Sequence, residues 1–200
     1  GVNIGPNKDS NNRIQDYITN LQQVDELADY ITINVSSPNT PDLREFENSK
    51  ITDLLKEIQL NRTSTKPIFI KISPDLENNQ IVSIVESAIK FGLDGLILTN
   101  TTQDREFGLK SRYGSEGGGL SGLPLSTLSN KKLSFTYSIT RGLIPIIGVG
   151  GIFNGQDVYQ KIKLGANLVQ LYTALVFEGP ALINSINYEL KTLMKNDGIK

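Results

Sequence analysis

Apolar residues along this chain fall into two alternating patterns. Short, nearly continuous apolar runs rich in β-branched residues lie at 1–5, 30–35, 67–72, 93–99, 144–151 and 167–172. They predict six strands, each buried on both faces. Between them, apolar residues recur at helical spacing. Ile14, Tyr17, Ile18, Leu21, Val24 and Leu27 predict a helix over 11–28. Ile51, Leu54, Leu55 and Ile58 mark a second helix, and Ile81, Ile84, Val85 and Ile89 a third, closed by Phe91-Gly92. Residues 125–140 read as a helix with Leu125, Leu128, Leu133 and Tyr137 inward. Val158, Ile162 and Leu164 form a short helix closed by Gly165. Residues 181–194 form the last, with Leu182, Ile183, Ile186, Leu190 and Leu193 on its apolar side. The polar stretches 6–12, 38–48, 103–124 and 173–180 read as loops, and the 103–124 loop is long enough to expect a function of it.

Six alternations of strand and helix imply parallel strands joined by right-handed crossovers, an α/β fold. The residues at the carboxyl end of each strand decide between the two common architectures. These ends offer Asn3; Asn34 with Ser37 and Asn39; Lys71; Thr99, Asn100 and Thr101; Gly150 and Gly151; and Tyr172 with Thr173. A doubly wound sheet uses only the ends near its switch point. A (β/α)8 TIM barrel brings all of them to one face, so six polar ends favour the barrel. Gly150-Gly151 lets a backbone approach a ligand, and the helix behind it, with Asn154 as N-cap, points free N–H groups at an anion. A phosphate site on the last two βα loops is a recurrent barrel feature. It makes the six strands here the third to the eighth. The expectation is one barrel domain over 1–200, incomplete at its N-terminal side, from a chain that starts at Gly1 as a piece of a longer protein.

Composition narrows the chemistry. The 200 residues carry a net charge of −1, which points to no nucleic-acid surface. No apolar run approaches the roughly 18 residues of a membrane span, and no signal-like segment is present. There is no cysteine and no histidine, so disulfides, Cys/His metal sites, thiolate nucleophiles and Ser-His couples are excluded. Acid–base work falls to Ser, Thr, Tyr, Lys or carboxylates. Lys71, set inside an apolar run, calls for an anionic or electron-rich partner, because an unpaired buried ammonium is costly. Read alone, the other features have plainer accounts. The 34–40 stretch is an Asx/Ser turn, Gly150-Gly151 is tight strand–helix packing, 117–119 is a flexible loop, and Tyr172 is core. A Schiff-base, aldolase-like barrel using Lys71 on a phosphorylated sugar also remains open.

Seven ordered motifs add a resemblance that runs over almost all of the chain. They are 1–5 (GVNIG), 34–40 (NVSSPNT), 71–75 (KISPD), 99–102 (TNTT), 118–122 (GGLSG), 145–151 (PIIGVGG) and 168–173 (LVQLYT). Together they resemble dihydroorotate dehydrogenase, closest to the membrane-associated, quinone-using class 2. Ser37 is the discriminating position: the soluble class 1 enzymes carry cysteine there.

The resemblance implies a flavin enzyme of pyrimidine (UMP) biosynthesis. Dihydroorotate loses a proton from C5 and a hydride from C6 to give orotate, FMN receives the hydride, and electrons pass to a quinone. By match to the family motifs, Ser37 is the general base. Asn34, Asn39, Asn100 and Thr101 hold the pyrimidine and its carboxylate. Asn3, Asn34, Lys71 and Thr99 contact the flavin, and Ser121, Gly122, Gly150, Gly151, Tyr172 and Thr173 surround its phosphate end. No metal is implied. The quinone site and peripheral membrane contact are expected in an N-terminal segment outside this chain, at the mitochondrial inner membrane in a eukaryote or the cytoplasmic side of the inner membrane in a bacterium. A truncated, non-catalytic remnant of the same barrel is the other reading. Asp42 departs from the pattern, standing where the family commonly has glycine in the active-site loop; Gly117, Leu164 and Asn167 depart as well.

Overall fold

A computed structural model describes residues 1–47, 50–107 and 109–199. The expected loop boundary at Asn48 and one residue of the long loop, Gly108, lie outside the described residues.

Six strands form one parallel sheet in sequence order: β1 (Val2–Ile4), β2 (Ile31–Asn34), β3 (Ile68–Ile72), β4 (Gly95–Leu98), β5 (Ile146–Val149) and β6 (Leu168–Gln170). The order never reverses, so there is no switch point. The sheet also curls. Four strand spacings of about 4.8 Å would separate β2 from β6 by roughly 19 Å in a flat sheet. Yet Gln170 Nε2, at the end of β6, donates to the hydroxyl of Tyr30, just before β2, at 3.3 Å. The sheet therefore supplies six consecutive strands of a (β/α)8 barrel, as expected.

Helices α1 (Arg13–Val24), α2 (Ile51–Asn61), α3 (Asn78–Lys90), α4 (Ser126–Thr140), α5 (Gly155–Lys163), α6 (Thr173–Glu178) and α7 (Leu182–Asn196) connect and follow the strands. The β3 alternation shows how the layers divide. Ile68, Ile70 and Ile72 are buried against the helices, while Phe69 and Lys71 turn to the half-buried interior. Register then lines up the interior side chains, because Asn34 lies beside Lys71, and Lys71 beside Ile97. Local capping follows the sequence. Asn154 caps α5 by accepting from Asp157 N at 2.9 Å, and Gly92 and Gly165 follow α3 and α5 at φ 65 and 108.

Four expectations fail in detail. Residues 173–178 are helical rather than loop; a segment of six residues, ended by Gly179 at φ 74, is too short to show a period. Helix α1 ends at Val24, so Leu27 is 83% exposed. The inward face of α4 is Ser129, Leu133, Thr136 and Thr140; Tyr137 is 43% exposed and lies over Gly165. Polar residues on the buried face hid the register. On α7 only Ile186 is fully buried, and Ile183 is exposed.

Candidate active site

All fourteen residues singled out from the sequence line two cavities at the carboxyl ends of the strands, each of about 320 Å³. The first is lined by Lys71, Thr99, Asn100, Thr101, Ser121, Gly122, Gly150, Gly151, Tyr172 and Thr173. The second is lined by Asn3, Asn34, Ser37, Asn39, Lys71, Asn100 and Thr101. Lys71, Asn100 and Thr101 belong to both, so the cavities meet at Lys71.

The second cavity is an amide clamp with its donors turned to the ligand. Asn34 Oδ1 accepts from Ser36 N, Ser36 Oγ and Asn100 Nδ2, each at 3.2 Å. That leaves the Asn34 Nδ2 protons without a partner among the described residues. Asn100 Nδ2 also donates to Ser36 Oγ at 2.9 Å, and its Oδ1 accepts from Thr101 N at 2.8 Å. Ser36, fully buried, reaches Lys71 O at 2.8 Å. Tyr17 donates to Asn34 O at 2.6 Å from beneath. Ser37 is half-buried, and its Oγ accepts from Asn39 N at 3.3 Å. No carboxylate or ammonium bonds to it among the described residues, so the geometry offers its hydroxyl no basic partner.

Lys71 stands between the two halves. Its Nζ has no hydrogen-bond or ion-pair partner among the described residues, and burial pushes its pKa below the ordinary lysine value. An unpaired ammonium of this kind fits an electron-rich ligand ring. Thr99 Oγ1 is likewise buried without a partner. Buried hydroxyls are almost always satisfied, so this orphan fits a ligand acceptor in the first cavity. The Leu98–Thr99 peptide before it is cis.

The phosphate-type end is backbone. Gly150 and Gly151 take φ 109 and 70, and the N–H groups of Gly150, Gly151 and Ile152 have no partner among the described residues. Successive free N–H groups on such a turn form an anion nest. Thr173 Oγ1 and Ser121 Oγ meet at 3.1 Å across it. Tyr172, read as core from spacing, is 78% exposed at the cavity rim. The long loop reaches the cavities through Gly119, Ser121 and Gly122. A Cβ on Gly119 would fall 1.8 Å from Thr101 Oγ1 and 2.9 Å from Pro38 Cγ, so only glycine fits between them.

Sequence reasoning missed three supports. Arg44 donates to Ser36 O at 3.2 Å and Thr101 O at 2.9 Å, and pairs with Asp75 at 2.7 Å, tying together the loops after β2, β3 and β4. Glu47, expected in a polar loop, is 2% exposed and accepts from Ser73 N. Ser36 was one more hydroxyl in a polar cluster, with nothing in its spacing to separate it from Ser37. Asp42 has φ 55, a left-handed conformation that Asp tolerates better than most residues, and it suits a position where glycine is usual.

Comparison with known proteins agrees with this geometry. The family model described as dihydroorotate dehydrogenase matches residues 1–194. The chain is 42% identical to the dihydroorotate dehydrogenase (quinone) of Azorhizobium caulinodans, covering 100% of this chain and 58% of that protein. It is 44% identical to the mitochondrial dihydroorotate dehydrogenase (quinone) of Mus musculus, covering 99% of this chain and 52% of that protein. The crystal structure of DHODH in complex with ferulenol from Eimeria tenella superposes with a TM-score of 0.94 at 36% identity, over 99% of this chain and 58% of that one. The chain thus spans little more than half the length of these relatives. The match does not favour the Schiff-base barrel. Over nearly its whole length, the chain belongs to the dihydroorotate dehydrogenase family.

Proposed function

We propose that residues 1–200 are the larger part of one FMN-binding barrel domain, incomplete at its N-terminal side, that oxidises dihydroorotate to orotate in pyrimidine biosynthesis. The observation that carries the reading is the pair of cavities meeting at Lys71, one lined by amides and hydroxyls and the other ending in a backbone anion nest. A uracil-like ring needs the amide-lined cavity, and a flavin with a phosphate tail needs the one that ends in the nest.

The residues present fit FMN. The orphan Thr99 hydroxyl, the unpaired Lys71 ammonium and the free N–H groups at Gly150-Gly151 are donors awaiting acceptors. Thr99, Lys71, Asn3 and Asn34 would hold the ring, and Ser121, Gly122, Gly150, Gly151, Tyr172 and Thr173 the ribityl phosphate. FMN supplies hydride acceptance. Asn34, locked with its Nδ2 outward, donates to a pyrimidine carbonyl. Asn39, Asn100 and Thr101 complete the clamp on the ring and its carboxylate. Lys71 places positive charge where negative charge gathers in the transition state. Ser37 takes the proton from C5 as its own hydroxyl proton passes to solvent water, because no side chain among the described residues is placed to accept it.

Relatives named as quinone enzymes support a quinone as final acceptor. We assign quinone uptake and peripheral membrane contact to a segment outside residues 1–200, since this chain spans only 58% and 52% of the relatives named as quinone enzymes. The location would be the mitochondrial inner membrane or the cytoplasmic side of a bacterial inner membrane.

Anaerobic stopped-flow on the full-length protein tests the reading. Dihydroorotate should bleach bound FMN, and Ser37→Ala should slow bleaching by about two orders of magnitude or more with FMN content unchanged. A variant that bleaches at the wild-type rate removes Ser37 as base, and a full-length protein that takes up no flavin ends the proposal.

A further inference from the structure

Lys161 has no part in the proposed oxidation, yet it is among the most deeply buried charges in the chain. Helix α5 turns it inward, and only 1% of it is exposed. Its Nζ donates to Ser129 Oγ and to Asn130 Oδ1, both at 2.9 Å and both on α4. Both acceptors are neutral. No carboxylate comes within ion-pair distance of it among the described residues. Asp157, one turn earlier on α5, uses its carboxylate on the N–H groups of Phe153 and Asn154 at 2.8 and 3.3 Å. A buried ammonium lacking a counter-charge costs several kcal/mol, so its position calls for an account.

The position lies under the anion nest. Ser129 Oγ, which accepts from Lys161, donates to Val149 O. The same carbonyl accepts from Thr99 N at 3.1 Å. The Val149–Gly150 peptide is thereby fixed from two sides, and its own N–H is the first of the unpartnered nest groups. Contacts are close throughout. A Cβ on Gly148 would stand 3.0 Å from Lys161 Cδ, and one on Gly150 3.2 Å from Ser129 Cβ. The cation therefore sits between α4 and β5, against the strand that leads into the anion-seeking N–H groups. Its field adds to theirs, offset in part by Asp157, whose carboxylate is taken up by the Phe153 and Asn154 N–H groups.

We propose that Lys161 is a positioning and counter-charge residue for a phosphate seated on the Gly150-Gly151 turn, and makes the site select a phosphorylated ligand over the same ligand without phosphate. The inference rests on the reading of the barrel as a flavin site. Burial also pushes the Lys161 pKa down to about 8, as expected of an ammonium still short of a counter-ion. A residue that only cross-linked α4 to α5 would affect every ligand of the barrel alike.

Flavin-stripped full-length protein, titrated separately with FMN and riboflavin by fluorescence quenching, separates these roles. Lys161→Met keeps the stem and removes the charge. Its FMN dissociation constant should rise about tenfold or more, corresponding to about 1.4 kcal/mol, while that of riboflavin changes less than about twofold. Lys161→Arg should restore most of the preference. Equal loss of both flavins, or no change in either, overturns the proposal while leaving the flavin reading intact. If Lys161→Met does not fold, Ser129→Ala decides, because it cuts the bridge to Val149 O and should lower the FMN-to-riboflavin preference about threefold. An unchanged preference overturns the proposal. Wild-type protein that binds neither flavin removes the reading beneath it, and the proposal with it.

Discussion

Replacing Thr99 by valine should make the flavin-free protein more stable and its flavin complex weaker. Thr99 is 1% exposed, and its Oγ1 has no partner among the described residues. Valine keeps the shape and the β-branch and exchanges the hydroxyl for a methyl. A buried hydroxyl left unpaired costs roughly 1–3 kcal/mol, and part of that is recovered when the group is removed. A gain of about 1–2 kcal/mol corresponds to a Tm rise of roughly 2–8 °C for a domain of this size. With FMN bound the sign reverses. The wild-type hydroxyl then has its acceptor, and the valine leaves that acceptor unpaired, which weakens binding about tenfold at 1.4 kcal/mol. Differential scanning calorimetry of full-length protein with and without FMN reads both effects. A variant that melts below wild type without flavin, and binds FMN equally well, would show that the hydroxyl is satisfied within the protein and does not await a ligand.

Two further perturbations test the supports. Burial pushes the Glu47 carboxyl up from its usual 4.5 to about 8, against the hydrogen bond from Ser73 N and the nearby Arg44 charge. Between those values the native state holds a proton that the unfolded chain has lost, so stability falls as pH rises from about 4.5 to 8, by at most ~1.4 kcal/mol per unit, and is flat above. Glu47→Gln keeps the acceptor for Ser73 and removes the titration; urea melts at pH 5 and pH 8 should show wild type losing stability that the variant retains, and parallel behaviour would mean that Glu47 is ionised in the fold. Gly151→Ala places a Cβ 2.4 Å from Ser126 Cβ and 2.8 Å from Ser126 N at φ 70, which should cost at least about 2 kcal/mol and most of the FMN affinity. Gly117→Ala, with nothing within 4 Å, is the control and should change stability by less than about 0.5 kcal/mol.

The central strands β2 to β5 were legible because their faces are largely covered, which turns each into a short, nearly unbroken apolar run; β1 and β6, expected to be buried on both faces, are not, and Leu168 is 63% exposed. The polar residue that interrupts or ends such a run stood out for the same reason, and Asn34, Lys71 and Thr99 all meet at the cavities. What escaped depends on partners far away in the chain. Arg44 and Asp75 are 31 residues apart, and neither looks different from a solvated charge. Lys161 reads as one more lysine on the outer turn of a helix, and its burial comes from α4, whose own inward face carries Ser129, Thr136 and Thr140 where the pattern calls for apolar residues. That exchange of polar for apolar hid the α4 register, and it is also what gives Lys161 an acceptor.

The two ends of the site are built on different terms, and this shapes how each responds to change. The amide-lined end is made of side chains whose orientation is fixed by other side chains: Asn34 by Ser36 and Asn100, and the backbone at Ser36 and Thr101 by Arg44. A change anywhere in that set redirects donors, so it should alter turnover and substrate affinity before it alters stability. The other end is made of backbone N–H groups brought close by glycines. It should fail when a Cβ is added at 151, where Ser126 stands 2.4 Å away. Lys71, shared by both cavities and paired with neither, is where the two sets of constraints meet. Of the three residues that line both cavities it is the charged one, so its loss should be felt at both ends.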